Sequence, residues 1–161
     1  MIGAFVKIGA APPWNLCSLC NLSSSANRAG VWVLADVVVI LVVEDDPLVR
    51  SFVEETLSDG GFETAFAASG EEAVALLNEH EGKYRALLTD INLRGKMDGW
   101  EVAQHAREID PEFPVVYMSG AAAADWASKG VPNSIMLSKP FVAAQILTAV
   151  SNLLNSGPPT T

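Results

Sequence analysis

From position 37 onward, the chain alternates between segments with the hydrophobic pattern of strands and segments with that of helices. Residues 37–43 form a continuous apolar run rich in β-branched side chains, VVVILVV, which is typical of a strand buried on both faces. Residues 47–61 follow with apolar side chains at helical spacing and a Gly-Gly stop. Four more predicted strands, each followed by a predicted helix, lie in the segments FETAFA, RALLTD, PVVYMS and SIML. These five strand–helix units predict an α/β fold, a doubly wound parallel sheet of five strands with helices on both faces.

Three of the predicted helices begin with residues that are suited to cap free backbone N–H groups. Asp46 precedes Pro47, and proline is favoured at the first position of a helix. Ser69 and Asp98 each stand three residues before a glutamate, which is the spacing of a capping box. In the first predicted helix, the apolar residues at helical spacing are Leu48, Phe52, Val53 and Leu57. In the last, one face carries Val142, Ile146, Val150 and Leu153.

The first part of the chain has a different composition from the rest. Residues 1–35 lack a clear periodicity and contain the loop-like segments APPWN and NLSSSANRAG. We expect this part to be a disordered or non-native N-terminal extension, with the native start near Val33 or Leu34. Residues 36–155 are predicted to form a single folded domain, and residues 156–161 a flexible tail.

Charge narrows the classes of partner. The 161 residues carry a formal net charge of −9, and because residues 1–35 contain two basic residues and no acid, the remainder carries −11. Such a body is repelled by nucleic acid and by anionic membranes, and it favours a basic protein partner or a cation. The longest apolar stretch, Ala29–Val43, has 15 residues and contains Asp36, whereas a membrane span needs about 20. We therefore expect neither a nucleic-acid partner nor a membrane span.

The cysteines offer little chemistry. Cys17 and Cys20 form a C-x-x-C pair, but a structural zinc site needs four ligands and neither a second pair nor a nearby histidine follows. We interpret them as two thiols in a loose segment rather than as part of a zinc site. The rest of the chain has no cysteine, which fits a reducing cytosol, and we expect a cytoplasmic protein.

Polar residues stand at the ends of the predicted strands. Glu44 and Asp45 follow the first strand, and Asp90 ends the third. Ser119 ends the fourth, and Lys139 follows the fifth. Since functional groups gather at the carboxyl ends of parallel strands, we expect one shared site. Three carboxylates repel one another unless a cation such as Mg²⁺ or shifted pKa values relieve them. With an ammonium and a hydroxyl nearby, this set suits a phosphoryl group, and Asp90 is the expected nucleophile that would form an aspartyl phosphate.

Five motifs carry a resemblance to a known family. The segments VVEDDP, LLTDINL, MDGWE, VVYMSG and LSKPF occur in this order within residues 37–154. In order and spacing they resemble the receiver domain of two-component response regulators, of the single-domain, chemotaxis-regulator-like kind. The resemblance implies a flavodoxin-like receiver fold with strand order 2-1-3-4-5.

The resemblance also implies a role for each matching residue. Asp90 would be the phosphoacceptor and a Mg²⁺ ligand, Asp45 a direct ligand, and Glu44 a ligand that acts mostly through water. The backbone carbonyl of Asn92 would complete the protein's ligands to the metal. Two further roles involve the phosphate: Ser119 would be the switch hydroxyl, and Lys139 would pair with the phosphoryl group. The bond before Pro140 would be a cis peptide.

Three features depart from the family pattern. Met136 stands three positions before the lysine, where relatives often carry an aromatic residue, so switching by rotation of an aromatic ring is not expected to apply in its usual form. The loop INLRGKM after Asp90 is one residue longer than in chemotaxis-type regulators and lacks their usual proline. The segment between Ser119 and Lys139 is slightly short, which predicts a stunted fourth helix.

Three functions are compatible with these residues. The first is a stand-alone receiver in a phosphorelay: a histidine kinase or phosphotransfer protein phosphorylates Asp90, and a downstream target protein reads the altered surface. The second is a pseudo-receiver that binds proteins without being phosphorylated. The third is a Mg²⁺-dependent phosphatase of the haloacid-dehalogenase type, but such enzymes need an aspartate at the position of Asn92. We therefore expect no turnover of external substrates.

Overall fold

The computed structural model describes residues 37–156, apart from the side chains of residues 122 and 123. The strands are β1 (Val39–Val43), β2 (Glu63–Ala67), β3 (Tyr84–Asp90), β4 (Val115–Ser119) and β5 (Ile135–Ser138). The helices are α1 (Pro47–Asp59), α2 (Gly70–Glu79), α3 (Gly99–Ile109), α4 (Trp126–Lys129) and α5 (Ala143–Asn155). A 3-10 turn at Ala122–Asp125 precedes α4. The expectations for residues 1–35, for the two cysteines and for most of the tail lie outside the described residues.

The five strands form one parallel sheet in the order β2-β1-β3-β4-β5. This confirms the predicted fold and strand order. β1 lies between β2 and β3, with Leu41 opposite Ala65 on one side and opposite Leu87 on the other. The carboxyl ends of β1 and β3 are therefore neighbours, which brings the residues that follow β1 close to those that end β3.

Both faces of the sheet are covered by helices. Leu41, Leu87 and Tyr117 belong to a buried cluster with residues of α2 and α3, and the rings of Trp100 and Tyr117 are 4.6 Å apart. Their strand neighbours point the other way, into a second cluster with residues of α1 and α5. Burying one such aliphatic side chain stabilises the fold by about 1.5–3 kcal/mol. Because both faces of the central strands are buried, apolar residues are favoured there at every position.

The predicted helix starts are present, with one difference. Asp46 accepts hydrogen bonds from the backbone of Leu48 and Val49, and Asp98 forms a complete capping box with Glu101. Ser69 caps α2 by accepting a hydrogen bond from the backbone N–H of Glu72. The Glu72 carboxylate, however, accepts from the backbone N–H of Ala68 rather than from that of Ser69. Each cap contributes about 1 kcal/mol.

The apolar residues of α1 do not all face the core. Val53 and Leu57 are buried, whereas Leu48 is 80% and Phe52 39% exposed. In the first turn of α1, Leu48 faces solvent, whereas its neighbour Val49 packs against the core on the α1–α5 side of the sheet. Val142, the residue that precedes α5, is also exposed. An apolar patch, defined here as Leu48, Phe52, Pro140 and Phe141, results beside Lys139.

The fourth helical segment is as short as predicted. α4 has four residues and buries none of them. Trp126 is 37% exposed, and its Nε1 donates to Ser134 Oγ at 3.0 Å. Gly130 caps the end of the helix, and a Cβ atom there would meet the Trp126 ring and the Trp126 carbonyl at 2.7 Å. Across residues 37–156, no helix combines the length and the apolar character that crossing a membrane requires.

Candidate functional site

Three carboxylates meet at the carboxyl edge of the sheet. Glu44 and Asp45 directly follow β1, and Asp90 is the last residue of the neighbouring strand β3. Each offers an oxygen atom, and these atoms lie within 4.8 Å of one another. Glu44 is 1% and Asp90 7% exposed, while Asp45 is half-buried. Two members of the cluster, Glu44 and Asp90, are therefore buried. The third, Asp45, lies at the rim of the cluster, next to solvent.

Lys139 supplies the positive charge that balances two of these acids. Its Nζ lies 2.8 Å from Glu44 Oε2 and 2.7 Å from Asp90 Oδ2. Its backbone N–H donates to the carbonyl of Ser119 at 2.7 Å, which links the ends of β4 and β5. The peptide bond between Lys139 and Pro140 is cis. Lys139, which follows β5, thus pairs with acids at the ends of β1 and β3.

Burial and pairing shift the proton affinities in this cluster. Burial raises the pKa of Glu44, hydrogen bonds from Lys139 and from the backbone of Asp46 oppose that rise, and the nearby charge of Asp90 adds to it. Burial alone would lower the pKa of Lys139, but the hydrogen bonds to Asp90 and Glu44 outweigh it and the pKa is raised. Lys139 is therefore a firm cation at neutral pH.

Removal of the Lys139 ammonium should destabilise the fold. In Lys139→Met, Glu44 and Asp90 would face each other without a counter-charge. We expect the free energy of unfolding at neutral pH to fall by about 2 kcal/mol, less than for a fully buried pair because the lysine is partly exposed. The deficit should shrink toward mildly acidic pH, because Glu44, whose pKa is raised in the fold, takes up a proton there and no longer repels Asp90.

Urea unfolding of the wild type and the variant at several pH values measures this effect. Lys129→Met is the matched control, since Lys129 pairs with the exposed Asp125 and is itself exposed. Equal losses in the two variants would contradict the counter-charge role of Lys139.

The two remaining predicted site residues also lie at this edge. Ser119 is buried at the end of β4, and its Oγ accepts a hydrogen bond from the backbone N–H of Ala121 at 3.2 Å. The backbone N–H of Asn92 donates to Asp90 Oδ1 at 3.2 Å, and its side chain is exposed. Asp90 thus has one oxygen on Asn92 and the other on Lys139. Met136 lies opposite Tyr117 in the β4–β5 register and packs on the α2–α3 side of the sheet.

Gly99 supports the site but had no role assigned from the sequence. It is the first residue of α3, and its backbone N–H donates to the Ile91 carbonyl at 3.0 Å. A Cβ atom there would collide with the Asp90 carbonyl oxygen and lie 2.9 Å from the Ile91 Cα. A glycine immediately after a helix-capping aspartate was a usable signal, because helices gain nothing from glycine at this position.

A charged contact from the loop after β3 was also missed. Arg94 Nε lies 2.7 Å from Asp45 Oδ2. The same loop is attached to α2, where Glu71 Oε1 accepts from the backbone N–H of Lys96 at 2.8 Å. No periodic pattern in the sequence signals either contact.

The donor set fits a hard divalent cation. Carboxylate oxygens are the ligands that Mg²⁺ takes in proteins, usually few of them and with waters retained. Glu44, Asp45 and Asp90 converge closely enough to share one ion, and Asp45 is the member of the cluster nearest to solvent. These residues would hold the metal, and Lys139, which contacts Glu44 and Asp90, would stand beside it as a partner for an anionic group.

The sequence pattern of the response regulator receiver domain matches residues 40–151. The chain belongs to the response regulator receiver family. This receiver is 32% identical over 117 residues to the receiver protein CpdR of Brucella abortus, covering 71% of this chain and 95% of CpdR. For three further relatives, named as transcriptional regulators, this chain spans 49–56% of their length.

Solved structures agree with the receiver fold. A response regulator receiver protein from Sinorhizobium medicae is 47% identical, with a TM-score of 0.72, and the match covers 74% of this chain and 96% of that one. The receiver domain of the sensor histidine kinase PA1611 from Pseudomonas aeruginosa is 23% identical, with a TM-score of 0.65 over 74% of this chain and 99% of that one. That structure has a magnesium ion coordinated in its active-site cleft.

Proposed function

We propose that this receiver works in a two-component phosphorelay and accepts a phosphoryl group on Asp90 in the presence of Mg²⁺. The observation that carries the proposal is the position of Asp90, which stands within hydrogen-bonding distance of Lys139 and in one cluster with Glu44 and Asp45. An aspartate that only ended a strand would not need two more acids beside it, and their mutual repulsion would be unfavourable. A site for a metal and a phosphoryl group gives all four residues a purpose.

The chain's own residues can perform each part of the transfer. An oxygen of Asp90 forms the new bond to phosphorus while the P–N bond of a phosphohistidine breaks, and the leaving imidazole keeps the electron pair and takes up a proton. Mg²⁺, when bound, offsets the negative charge of the transferring group. Asn92 N–H and Lys139 hold the two carboxylate oxygens of Asp90 beforehand, which fixes the direction of attack. Lys139 then pairs with the phosphoryl oxygens.

A protein is the proposed donor and another protein the proposed target. The net charge of −11 on residues 36–161 disfavours nucleic acid, and the apolar patch beside Lys139 offers a phosphohistidine-bearing partner a surface to pack on. Phosphorylation at Asp90 is proposed to draw Ser119 toward the phosphate and to rearrange the adjoining α4 segment. The cognate partners would meet the receiver in the cytoplasm.

A stand-alone role for the domain is supported by CpdR, of which this chain covers 95%. We propose that the receiver domain spans residues 36–155, after an N-terminal extension and before a short tail. Turnover of an external substrate is disfavoured, because Asn92 lacks the acid–base group that a phosphatase of this chemistry needs. Incubation with a small phosphomonoester should therefore release no free phosphate above the buffer blank.

The test of the proposed function is the intact mass of the protein after incubation with acetyl phosphate. With Mg²⁺ we expect a mass increase of one phosphoryl group, and with EDTA we expect none, since no metal would then offset the negative charge of the transferring phosphoryl group. Absence of an adduct in a sample that demonstrably binds Mg²⁺ would favour the second candidate function, a protein-binding pseudo-receiver. That alternative draws on Met136 and on the longer loop after β3.

A further inference from the structure

The loop between β3 and α3 carries a cation into the acidic cluster. Arg94 reaches from this loop to Asp45, with Nε 2.7 Å from Oδ2. The Arg94 side chain is 87% exposed and the Asp45 side chain 16% exposed, so the guanidinium covers the solvent side of the carboxylate. Asp45 is the rim member of the cluster, and its oxygen is one that a metal needs.

The loop is attached in a way that favours this contact. Glu71, in the first turn of α2, accepts from the backbone N–H of Lys96, and this hydrogen bond is the main reason why the pKa of Glu71 is lowered. Gly95 has φ +133° and lies against the same carboxylate, where a Cβ atom would meet Glu71 Oε2 at 2.7 Å. The residues immediately after Arg94 are therefore attached to α2, and Arg94 reaches Asp45 from this attached loop.

The pairing divides the cluster between two internal cations. Lys139 contacts Glu44 and Asp90, and Arg94 contacts Asp45, so each carboxylate has a positive partner from the chain itself. Lys139 occupies oxygens at the buried side and Arg94 the oxygen at the open side. A divalent cation that approaches from solvent therefore encounters the Arg94 guanidinium first, in front of Asp45. Glu44 and Asp90 lie deeper in the site.

We propose that Arg94 is a built-in counter-ion that competes with Mg²⁺ for Asp45, lowers the affinity of the site for the metal, and leaves Asp45 when the metal binds. This rests on the proposed Mg²⁺ requirement. When Arg94 is released, the exposed surface of the loop differs between the metal-bound and the metal-free protein. The hydrogen bond between the loop and Glu71 persists in both. Because exposed ion pairs are weak, the competition is modest, and removal of Arg94 should strengthen Mg²⁺ binding about two- to fivefold.

Calorimetric titration of Mg²⁺ into the wild type, Arg94→Gln and Arg85→Gln tests the competition. Arg85 is an exposed arginine of β3 near the amino end of that strand, so its substitution removes the same charge far from the cluster. We expect Arg94→Gln to lower the Kd about two- to fivefold at low salt, Arg85→Gln to leave it unchanged, and the gain to shrink as salt screens the pair. Unchanged or weaker binding by Arg94→Gln would overturn the proposal.

A second readout follows the arginine itself. In the wild type, the NMR signal of the Arg94 Nε–H group should shift on addition of Mg²⁺, while the Lys96 backbone N–H, which is bound to Glu71, should not. A stationary Arg94 signal at saturating Mg²⁺ would overturn the release of Arg94. Absence of Mg²⁺ binding in all three proteins is a separate result, which would overturn the metal requirement of the proposed function and the competition with it.

Discussion

An Asp90→Asn variant is expected to gain no phosphoryl group under conditions that label the wild type fully. The carboxamide has nearly the same shape as the carboxylate but lacks the anionic oxygen that attacks phosphorus. The variant also removes one of the three negative charges that would hold the metal. The measurement is the intact mass after incubation with acetyl phosphate and Mg²⁺, and the expected adduct falls from one group to none.

The neighbouring acid Asp46 supplies a matched control for this loss. Asp46 is exposed and caps α1 through the N–H groups of Leu48 and Val49, and asparagine is an equally good cap. Asp46→Asn should therefore keep both the fold and the full phosphoryl adduct. An adduct that persists in Asp90→Asn would place the phosphate on a different residue of the cluster, and peptide mapping would then identify which.

A methyl group at position 99 should cost about 3 kcal/mol of stability or more. In Gly99→Ala the new Cβ would collide with the backbone of Asp90, whose carbonyl carbon it would approach to 2.9 Å. Backbone cannot rotate away as a long side chain can, so α3 would have to move back from the end of β3. Thermal or urea unfolding measures the loss, and phosphoryl uptake should fall with it, because the same movement displaces Asp90.

Gly120→Ala separates this clash from a general effect of replacing glycine. Gly120 is exposed, it lies one residue beyond β4, and a Cβ atom there would meet nothing within 4 Å. Its stability should change by no more than about 0.5 kcal/mol. Comparable losses in both variants would mean that the close approach of α3 to Asp90 is not what requires glycine at position 99.

The fold and the acidic cluster were accessible from the sequence because both depend on local patterns. A strand buried on two faces needs a continuous apolar run, and an acid that directly follows such a run must stand at the edge of the sheet. The sequence therefore predicts that Glu44, Asp45 and Asp90 stand at one edge of the sheet, and the parallel strands bring them together there. Lys139 follows from the same rule.

The contacts that were missed depend on how separate segments meet. Arg94 reaches Asp45, and Glu71 reaches the Lys96 backbone 25 residues away, but neither pair leaves a periodic trace. The spacing of Leu48 and Phe52 correctly indicated a helix. It did not reveal that Leu48 and Phe52 are exposed, because the spacing of apolar residues in one helix does not specify how far the neighbouring elements cover it.

The brevity of α4 has a consequence for timing. A single helical turn has few internal hydrogen bonds, and α4 anchors no side chain in either core, so little free energy opposes its rearrangement. The compliant part of the molecule therefore lies directly downstream of Ser119, while the strands that carry the acids are held on both faces. Phosphorylation at this edge would therefore leave the strands in place and rearrange α4. The duration of the response would be set by the lifetime of the phosphoryl group rather than by the barrier to rearranging α4.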